Sequence, residues 1–223
     1  MAKTAIIFDL DDTLYKECNY RKSGWHTVAR CFAAACSMTP EQLYDAMDAN
    51  PSEAFETVQE IAAKNGVEVT IEMQLNIYRA HRPNISLDEE AKNVLTALRE
   101  KGISTGIITD GRALGQLNKI AALGIAEYVD PQFIMPTVLY NTDKHSDTPF
   151  KIMMERMPDV DKFMYVGDNP SKDFHHPNLL GWETVMLTDV NNVNIHPQDL
   201  SAWAEEYQPQ RRINNLNDIL KGI

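Results

Sequence analysis

The sequence predicts an α/β fold, with a Rossmann-like doubly wound parallel sheet core and an inserted α-helical domain. Short apolar runs without helical spacing, of which residues 5–8 are the first, predict strands buried on both faces of a parallel sheet. From residue 84 onward such runs alternate with helical patterns, as in βαβ units. We therefore expect a core made of residues 1–15 and 84–223, interrupted by a helical domain at residues 16–83.

Length, composition and charge narrow the class of protein. The chain has 223 residues, of which 43% are hydrophobic and 24% charged. This composition is typical of globular proteins, and the length is sufficient for a substantial core. The net charge of -11 argues against nucleic acid as a partner, because nucleic-acid binding favours a basic surface. No apolar run approaches the roughly 18 residues of a membrane span, and no signal peptide is recognisable. We expect a soluble, cytoplasmic protein that binds neither nucleic acid nor membrane.

Two acidic side chains, Asp9 and Asp11, follow the first predicted strand at its carboxyl end. Open α/β sheets bind their ligands at this edge. Ionised carboxylates about 4 Å apart repel by about 4 kcal/mol at an effective dielectric constant near 20, so such a site needs a cation. Mg2+ is the expected ion, because it prefers oxygen ligands and is usually held by one or two carboxylates together with substrate phosphate oxygens.

The inserted segment predicts four helices. Thr39 is an expected N-cap, with Pro40 at the first helical position and Gln42 at the third. The helices are expected at residues 25–36, from residue 40 onward, at residues 53–64 and at residues 71–80.

A second predicted strand, residues 103–108, ends in Thr109, Asp110 and Gly111 before the next helix begins. A hydroxyl and free backbone N–H groups at such a point form a natural phosphate-binding site. Thr-Asp-Gly by itself is a common turn, so it is the position between strand and helix that favours phosphate binding.

Another predicted strand, residues 163–166, runs into Asp168, and Asp173 follows five residues later. A lysine near these acids would suit the site, because with an ordinary pKa near 10.4 it stays charged at neutral pH and can neutralise both a carboxylate and a phosphate.

These residues, in this order, resemble the motifs of the haloacid dehalogenase-like superfamily, whose phosphatases carry Asp-x-Asp-x-Thr after the first strand. The matching residues here are Asp9-Leu10-Asp11-Asp12-Thr13. The segment that begins at Lys144 is similar to the family's Lys-Pro-x-Pro-x-x-Phe, with His145 in place of the first proline. Lys144 is therefore the implied lysine of the site, and Lys151, at the start of the following helix, is the competitor. The loop position favours Lys144. Gly167-Asp168 with Asp173 is similar to its Gly-Asp-x-x-x-x-Asp. The helical insertion resembles the family's helical cap, which follows the first motif.

The resemblance implies a Mg2+-dependent phosphatase that acts on a small phosphomonoester, a nucleotide or a sugar phosphate, through an aspartyl-phosphate intermediate. Asp9 is the expected nucleophile, because an aspartate is ionised at neutral pH and needs no base to activate it. Asp11, crowded by anions, is expected to have a raised pKa, to protonate the leaving alcohol and then to activate water.

The resemblance also implies which residues bind the phosphoryl group and the metal. The implied contacts of the phosphoryl group are Thr109, Lys144, Asp110 and Gly111. The implied metal ligands are Asp9, Asp11, Asp168 and Asp173. Asp173 would either bind the metal, directly or through a water molecule, or orient another ligand. Residues 20–26, at the entrance of the cap, contain cations and aromatic rings that could recognise a sugar or nucleotide phosphate, so Arg21 and Trp25 are expected to contact the substrate. The alternative is that Trp25 packs inside the cap and Arg21 is solvated.

Several alternatives stay open at this point. A phosphomutase shares every motif and differs in returning the phosphate to the sugar instead of releasing it to water. A dehalogenase lacks the acid two residues after the nucleophile, so Asp11 argues against it. A phosphonatase would need a reactive cap lysine, and the surroundings of Lys64 give no sign of one. A phosphoaspartate signalling or binding module is less favoured, because receiver domains have neither this order of motifs nor a helical cap.

Overall fold

We describe the protein from a computed structural model that covers residues 3–222. The described chain forms two compact units. One contains the residues up to Glu17 and those from Ser86 onward, and the other is Cys18–Ile85. The predicted boundaries, after residue 15 and after residue 83, lie slightly before the boundaries in the structure, which follow Glu17 and Ile85. Within residues 3–222, no helix combines the length and apolar character that crossing a bilayer requires.

The first unit is built on a single sheet. Its strands are β1 (Thr4–Phe8), β2 (Ser104–Thr109), β3 (Ile134–Pro136), β4 (Lys162–Gly167), β5 (Glu183–Leu187) and β6 (Arg211–Ile213). All neighbours pair in parallel, in the order β3-β2-β1-β4-β5-β6. Strand order reverses between β1 and β4, and ligands of such sheets bind outside the carboxyl ends of the strands at this point. The predicted Rossmann-like α/β fold is confirmed.

Helices connect the strands and make up the second unit. In chain order they are α1 (Glu17–Phe32), α2 (Pro40–Ala49), α3 (Ala54–Lys64), α4 (Ile71–Ala80), α5 (Glu89–Glu100), α6 (Ala113–Ala122), α7 (Thr148–Arg156) and α8 (His175–Leu179). Thr39 caps α2 as predicted, since its Oγ1 accepts from the N–H of Gln42 at 3.2 Å. The four helices α1 to α4 agree with the predicted helical insertion.

The structure differs from the sequence-based prediction in two ways. α1 begins at Glu17, well before the predicted residue 25, because Oδ1 of Asp12 accepts from the N–H of Glu17 at 2.9 Å and so provides the start of the helix. The edge strands β3 and β6 were not predicted. Each has three residues, which is too few for a recognisable pattern.

Candidate active site

The tips of β1 and β4 bring two acidic side chains together. The N–H of Asp9 donates to the carbonyl of Val166 at 2.8 Å, so the pairing of the two strands continues one residue beyond β1. Asp168 directly follows the last residue of β4. Asp9 is 3% exposed and Asp168 is 2% exposed. Two buried carboxylates therefore lie at the point where the strand order reverses.

A third carboxylate, that of Asp173, is folded back beside the other two. Its Oδ2 accepts from the N–H of Asp168 at 3.1 Å and from that of Asn169 at 2.8 Å. A Cβ atom on Gly167 would lie 2.5 Å from this oxygen, so the close approach requires glycine there. One carboxylate oxygen from each of Asp9, Asp168 and Asp173 lies within 4.8 Å of the other two.

Lys144 supplies the positive charge of this cluster. Its side chain is fully buried, with Nζ 2.9 Å from Oδ1 of Asp9 and 2.6 Å from Oδ1 of Asp173. The hydroxyl of Tyr165, on β4, lies 3.2 Å from the same Nζ. The competing Lys151 is instead half exposed and lies 2.6 Å from Asp147. The structure thus brings Lys144, and not Lys151, to Asp9.

His145 stands where the family pattern has a proline. Its N–H donates to Oδ1 of Asp143 at 3.0 Å. Proline has no N–H and could not make this hydrogen bond. The departure from the pattern leaves Lys144 at the site, 2.9 Å from Oδ1 of Asp9.

Three carboxylates share one lysine, and burial opposes the ionisation of Asp9 and Asp168. Desolvation raises the pKa of Asp9 from 3.8 to about 6, against the opposing attraction of Lys144. Burial, followed by the charges of Asp173 and Asp9, raises the pKa of Asp168 well above its usual value. Burial also works against the charge on Lys144, but Asp173 and Asp9 together raise its pKa well above the usual value. The lysine therefore stays protonated, and the cluster keeps an excess of negative charge.

The residues present fit a hard divalent cation such as Mg2+. Mg2+ prefers carboxylate oxygens, and Asp9, Asp168 and Asp173 offer them at close quarters in a buried site. The lysine alone leaves this site too negative, so a bound cation would lower the electrostatic free energy of all three side chains.

The raised pKa of Asp9 predicts how the metal-free protein responds to pH. An acid whose pKa is raised on folding stabilises the folded state while it is protonated, and this stability is lost as the pH rises through about 6. We expect the melting temperature of chelator-treated protein to fall between about pH 4.5 and about pH 7.5, and added Mg2+ to reverse much of the fall. Thermal unfolding at both pH values measures this, and Asp9→Asn is the control in which the fall is smaller. Equal melting temperatures without metal would contradict the prediction.

Thr109, the last residue of β2, has a hydroxyl without a protein partner. Its Oγ1 is buried and makes no hydrogen bond with the part of the chain that the structure describes. A buried hydroxyl in this state has lost the hydrogen bonds it made in water. The predicted contact with a phosphoryl oxygen would supply the missing partner.

The Asp110 side chain links the loop after β2 to two neighbouring segments. Its Oδ1 accepts from the hydroxyl of Thr137 at 2.6 Å and from the N–H of Lys144 at 3.2 Å. Its carbonyl accepts from Nε2 of Gln116 at 2.5 Å. These contacts fix the loop next to Lys144. That the N–H groups of Asp110 and Gly111 contact phosphate stays a prediction.

The Asp11 carboxylate has three hydrogen-bond donors of its own. It accepts from Nζ of Lys119 at 2.7 Å, from Nε2 of Gln116 at 2.9 Å and from the hydroxyl of Tyr15. Burial would raise the pKa of Asp11, but the charge of Lys119 and these hydrogen bonds lower it below its usual value. The predicted raised pKa is wrong, because a lysine and not the neighbouring anions dominates its surroundings. The carboxylate faces Lys119, and the place of Asp11 among the metal ligands stays a prediction.

Two residues of the loop after β5 hold Asp168 in place. The side-chain amide of Asn194 donates to Oδ2 of Asp168 at 3.1 Å, and that of Gln198 donates to its carbonyl at 2.9 Å. Lys16 in turn donates to Oδ1 of Asn194 at 3.1 Å. Sequence reasoning missed both amides, because they belong to no motif and an asparagine-rich stretch predicts only irregular structure.

The two predicted substrate contacts lie on α1 in the second unit. Trp25 is 2% exposed and belongs to an apolar core with Val28, Leu43 and Met47. This packing gives Trp25 a structural role, and its contact with the substrate stays a prediction. The guanidinium of Arg21 lies 5.0 Å from the centre of the Trp25 ring, as in a cation–π contact. Arg21 stays a predicted substrate contact.

Fold and site together define an α/β enzyme with a buried acidic centre and a lysine at the switch point of its sheet. Residues 6–186 match the family described as haloacid dehalogenase-like hydrolase. The chain belongs to this family, and the resemblance that its motifs indicated is confirmed.

Two relatives are similar over nearly their whole length. The chain is 25% identical to ribulose-1,5-bisphosphate 5-phosphatase of Halopiger xanaduensis, over 97% of each chain. It is also 25% identical to glyceraldehyde 3-phosphate phosphatase of Methanocaldococcus jannaschii, over 98% of this chain and 97% of the relative. Together with the family match, these names confirm the prediction of a hydrolase and support phosphate esters as its substrates.

Solved structures share the fold. The 2-haloacid dehalogenase from Pseudomonas syringae is 22% identical, with a TM-score of 0.62 over 99% of this chain and 97% of the other. A phosphatase of the family from Thermococcus onnurineus is 17% identical, with a TM-score of 0.61 over 98% and 96% of the two chains. At these identities the likeness shows the fold alone.

Proposed function

We propose that this chain is a Mg2+-dependent phosphatase that hydrolyses a small phosphomonoester through an aspartyl-phosphate on Asp9. The observation that carries the proposal is the buried carboxylate of Asp9 at the tip of β1, 2.9 Å from Lys144. The unpaired hydroxyl of Thr109 at the tip of the adjacent strand adds a free donor. A nucleophile and a donor at neighbouring strand tips, with a cation beside the nucleophile, suit phosphoryl transfer, which depends mainly on positioning and electrostatic stabilisation.

A sugar phosphate is the substrate class that the relatives favour over a nucleotide. By their names, the two relatives act on ribulose 1,5-bisphosphate and glyceraldehyde 3-phosphate, which are both phosphorylated sugars. Arg21 on α1 is the candidate contact to the part of the substrate outside the phosphoryl group.

Asp9, Asp168 and Asp173 are the residues that would hold the metal. When bound, Mg2+ supplies positive charge that stabilises the phosphoryl oxygens and the clustered carboxylates. Asn194 and Gln198 keep Asp168 oriented for this task, because their amides donate to its Oδ2 and its carbonyl.

In the first half of the reaction, a carboxylate oxygen of Asp9 attacks phosphorus and the bond to the substrate's alkoxide oxygen breaks. Lys144 lies against Asp9 and balances the charge on the transferring group, while Thr109 donates its hydroxyl to a phosphoryl oxygen. The negative charge of the bound phosphoryl group favours the protonated form of Asp11, against the effect of Lys119. The alkoxide takes this proton from Asp11 and leaves as the alcohol.

In the second half, water replaces the alcohol. Asp11, ionised again, accepts a proton from the water as its oxygen attacks phosphorus. The bond between phosphorus and the Asp9 oxygen breaks, so inorganic phosphate leaves and the carboxylate of Asp9 is restored. The three donors around Asp11 favour the ionised form that this step needs.

A substrate screen tests the proposed function. Purified protein is incubated with phosphorylated sugars, trioses and nucleotides in Mg2+, and released phosphate is measured. We expect release from at least one sugar phosphate, loss of release with chelator and recovery when Mg2+ is restored. Asp9→Asn is the control for contaminating phosphatases. Transfer of the phosphate within the sugar without release, or undiminished release in chelator, would contradict the proposal.

A further inference from the structure

Two polar residues of α6, Gln116 and Lys119, are buried although the predicted chemistry has no place for them. Lys119 is 5% exposed and Gln116 is 3% exposed. A lysine is rarely buried to this extent unless it is paired, because removing an ammonium group from water is unfavourable. Side chains three positions apart lie on the same face of a helix. α6 directs both side chains to one partner, which is Asp11.

Between them, the two side chains hold both oxygens of Asp11. Nζ of Lys119 lies 2.7 Å from Oδ1, and Nε2 of Gln116 lies 2.9 Å from Oδ2. The hydroxyl of Tyr15 donates to Oδ1 as well. Because all three partners are donors placed on both oxygens, they fix the carboxylate in one orientation.

Gln116 also ties Asp11 to the loop after β2. Its Nε2 uses a second hydrogen to donate to the carbonyl of Asp110 at 2.5 Å. A Cβ atom on Gly111 would collide with the same amide, so the loop and the Gln116 side chain are in close contact. One side chain therefore joins the Asp11 carboxylate to the loop that is expected to bind the phosphoryl group.

Lys119 has a second carboxylate within reach. Its Nζ lies 3.4 Å from Oε1 of Glu17, the first residue of α1. One ammonium group thus lies between two carboxylates that would repel each other without it. The shorter distance to Asp11 makes Asp11 its main partner.

We propose that Lys119 and Gln116 are positioning residues, which hold the Asp11 carboxylate at a fixed place relative to the loop formed by Thr109, Asp110 and Gly111. The inference rests on the proposed function, in which Asp11 exchanges protons with groups bound at that loop. Both residues act through Asp11 and touch no reacting atom themselves. α6, which begins directly after the loop, thereby sets the spacing between the proton-transfer group and the phosphoryl group.

Double-mutant cycles on turnover test this inference. Lys119→Met is expected to lower kcat about ten- to a hundredfold, the range typical of groups that orient a catalytic ligand, with a much smaller change in KM. Lys119→Arg keeps the charge and is expected to recover part of the loss. In an Asp11→Asn background, Lys119→Met is expected to cause no further loss, because a residue that acts only through Asp11 has no effect once that carboxylate is gone.

Two further variants make the test decisive. Lys151→Met is the matched control, because it removes an exposed lysine that pairs with Asp147, and it should leave kcat unchanged. Gln116→Leu keeps the size of the side chain and leaves Lys119 in place. If Lys119→Met does not fold, the same double-mutant cycle with Asp11→Asn is measured with Gln116→Leu.

The outcomes separate this proposal from the proposed function. Unchanged kcat in a folded Lys119→Met or Gln116→Leu variant would overturn the proposal, and so would an equal loss in the wild-type and Asp11→Asn backgrounds. In both cases the wild-type protein still hydrolyses its substrate, so the proposed function stands. If the wild-type protein released no phosphate from any substrate, the proposed function would fail and this proposal with it.

Discussion

Replacing Asp9 with asparagine is expected to lower turnover by at least about a thousandfold, because the side chain loses the anionic oxygen that attacks phosphorus. Asparagine has nearly the same shape, so the rest of the site should stay assembled. The measurement is phosphate release in Mg2+ from the best substrate of the screen. Acid-quenched wild-type protein should also yield a phosphate-bearing peptide that contains Asp9, and the variant should yield none.

The same substitution is expected to stabilise the metal-free protein while it removes activity. Burial holds the pKa of Asp9 at about 6, above its ordinary 3.8, so the ionised side chain opposes folding at neutral pH. Removing this charge should raise the free energy of unfolding by up to about 3 kcal/mol, the equivalent of that pKa difference. Denaturant titration in chelator gives this value. Opposite effects on activity and stability are typical of a site arranged for function at some cost in stability.

Asp159→Asn provides the matched control for Asp9→Asn, since it makes the same chemical change at an exposed side chain. We expect its turnover and stability to equal those of the wild type. Substantial turnover in Asp9→Asn, or a trapped phosphate on a different residue, would show that Asp9 is not the nucleophile.

The core of the site could be predicted because its residues lie at strand tips. Asp9, Thr109 and Asp168 each follow or end an apolar run, and parallel strands bring such tips to one edge of a sheet. The edge strand β6 could not be predicted in the same way. It begins with Arg211 and Arg212, so no apolar run marks it.

The surroundings of Asp11 could not be predicted from the sequence. Lys119 is 108 positions away along the chain, on a helix in which a lysine would ordinarily face solvent. Whether it reaches Asp11 depends on how α6 is rotated against the loop after β1, which side-chain packing decides. The same holds for Asn194, whose contact with Asp168 depends on the path of an irregular loop. Motifs thus predicted the groups that follow strands, and missed the side chains that orient them.

Replacing Lys144 with methionine is expected to impair both turnover and folding. Its ammonium group is fully buried between Asp9 and Asp173, and loss of one partner from a buried ion pair typically destabilises a protein by about 3–5 kcal/mol. Turnover should fall by at least about a hundredfold, because the transferring phosphoryl group loses a fixed cation. Lys151→Met is the matched control, and neither property should change in it, since this lysine is half exposed. Denaturant titration and phosphate release measure the two effects.

The pH dependence of Lys144→Met separates a loss of charge from a loss of packing. Without the lysine, Asp9 and Asp168 lose a positive charge that lowers their pKa values, so both pKa values rise further and protonation relieves the repulsion within the cluster. The loss of stability relative to wild type should therefore be large at neutral pH and shrink as the pH falls toward about 5. Added Mg2+ should recover part of the loss at neutral pH, because it compensates the same three carboxylates. A loss that depended on neither pH nor Mg2+ would mean that Lys144 merely fills space, and its assignment as the cation of the site would be wrong.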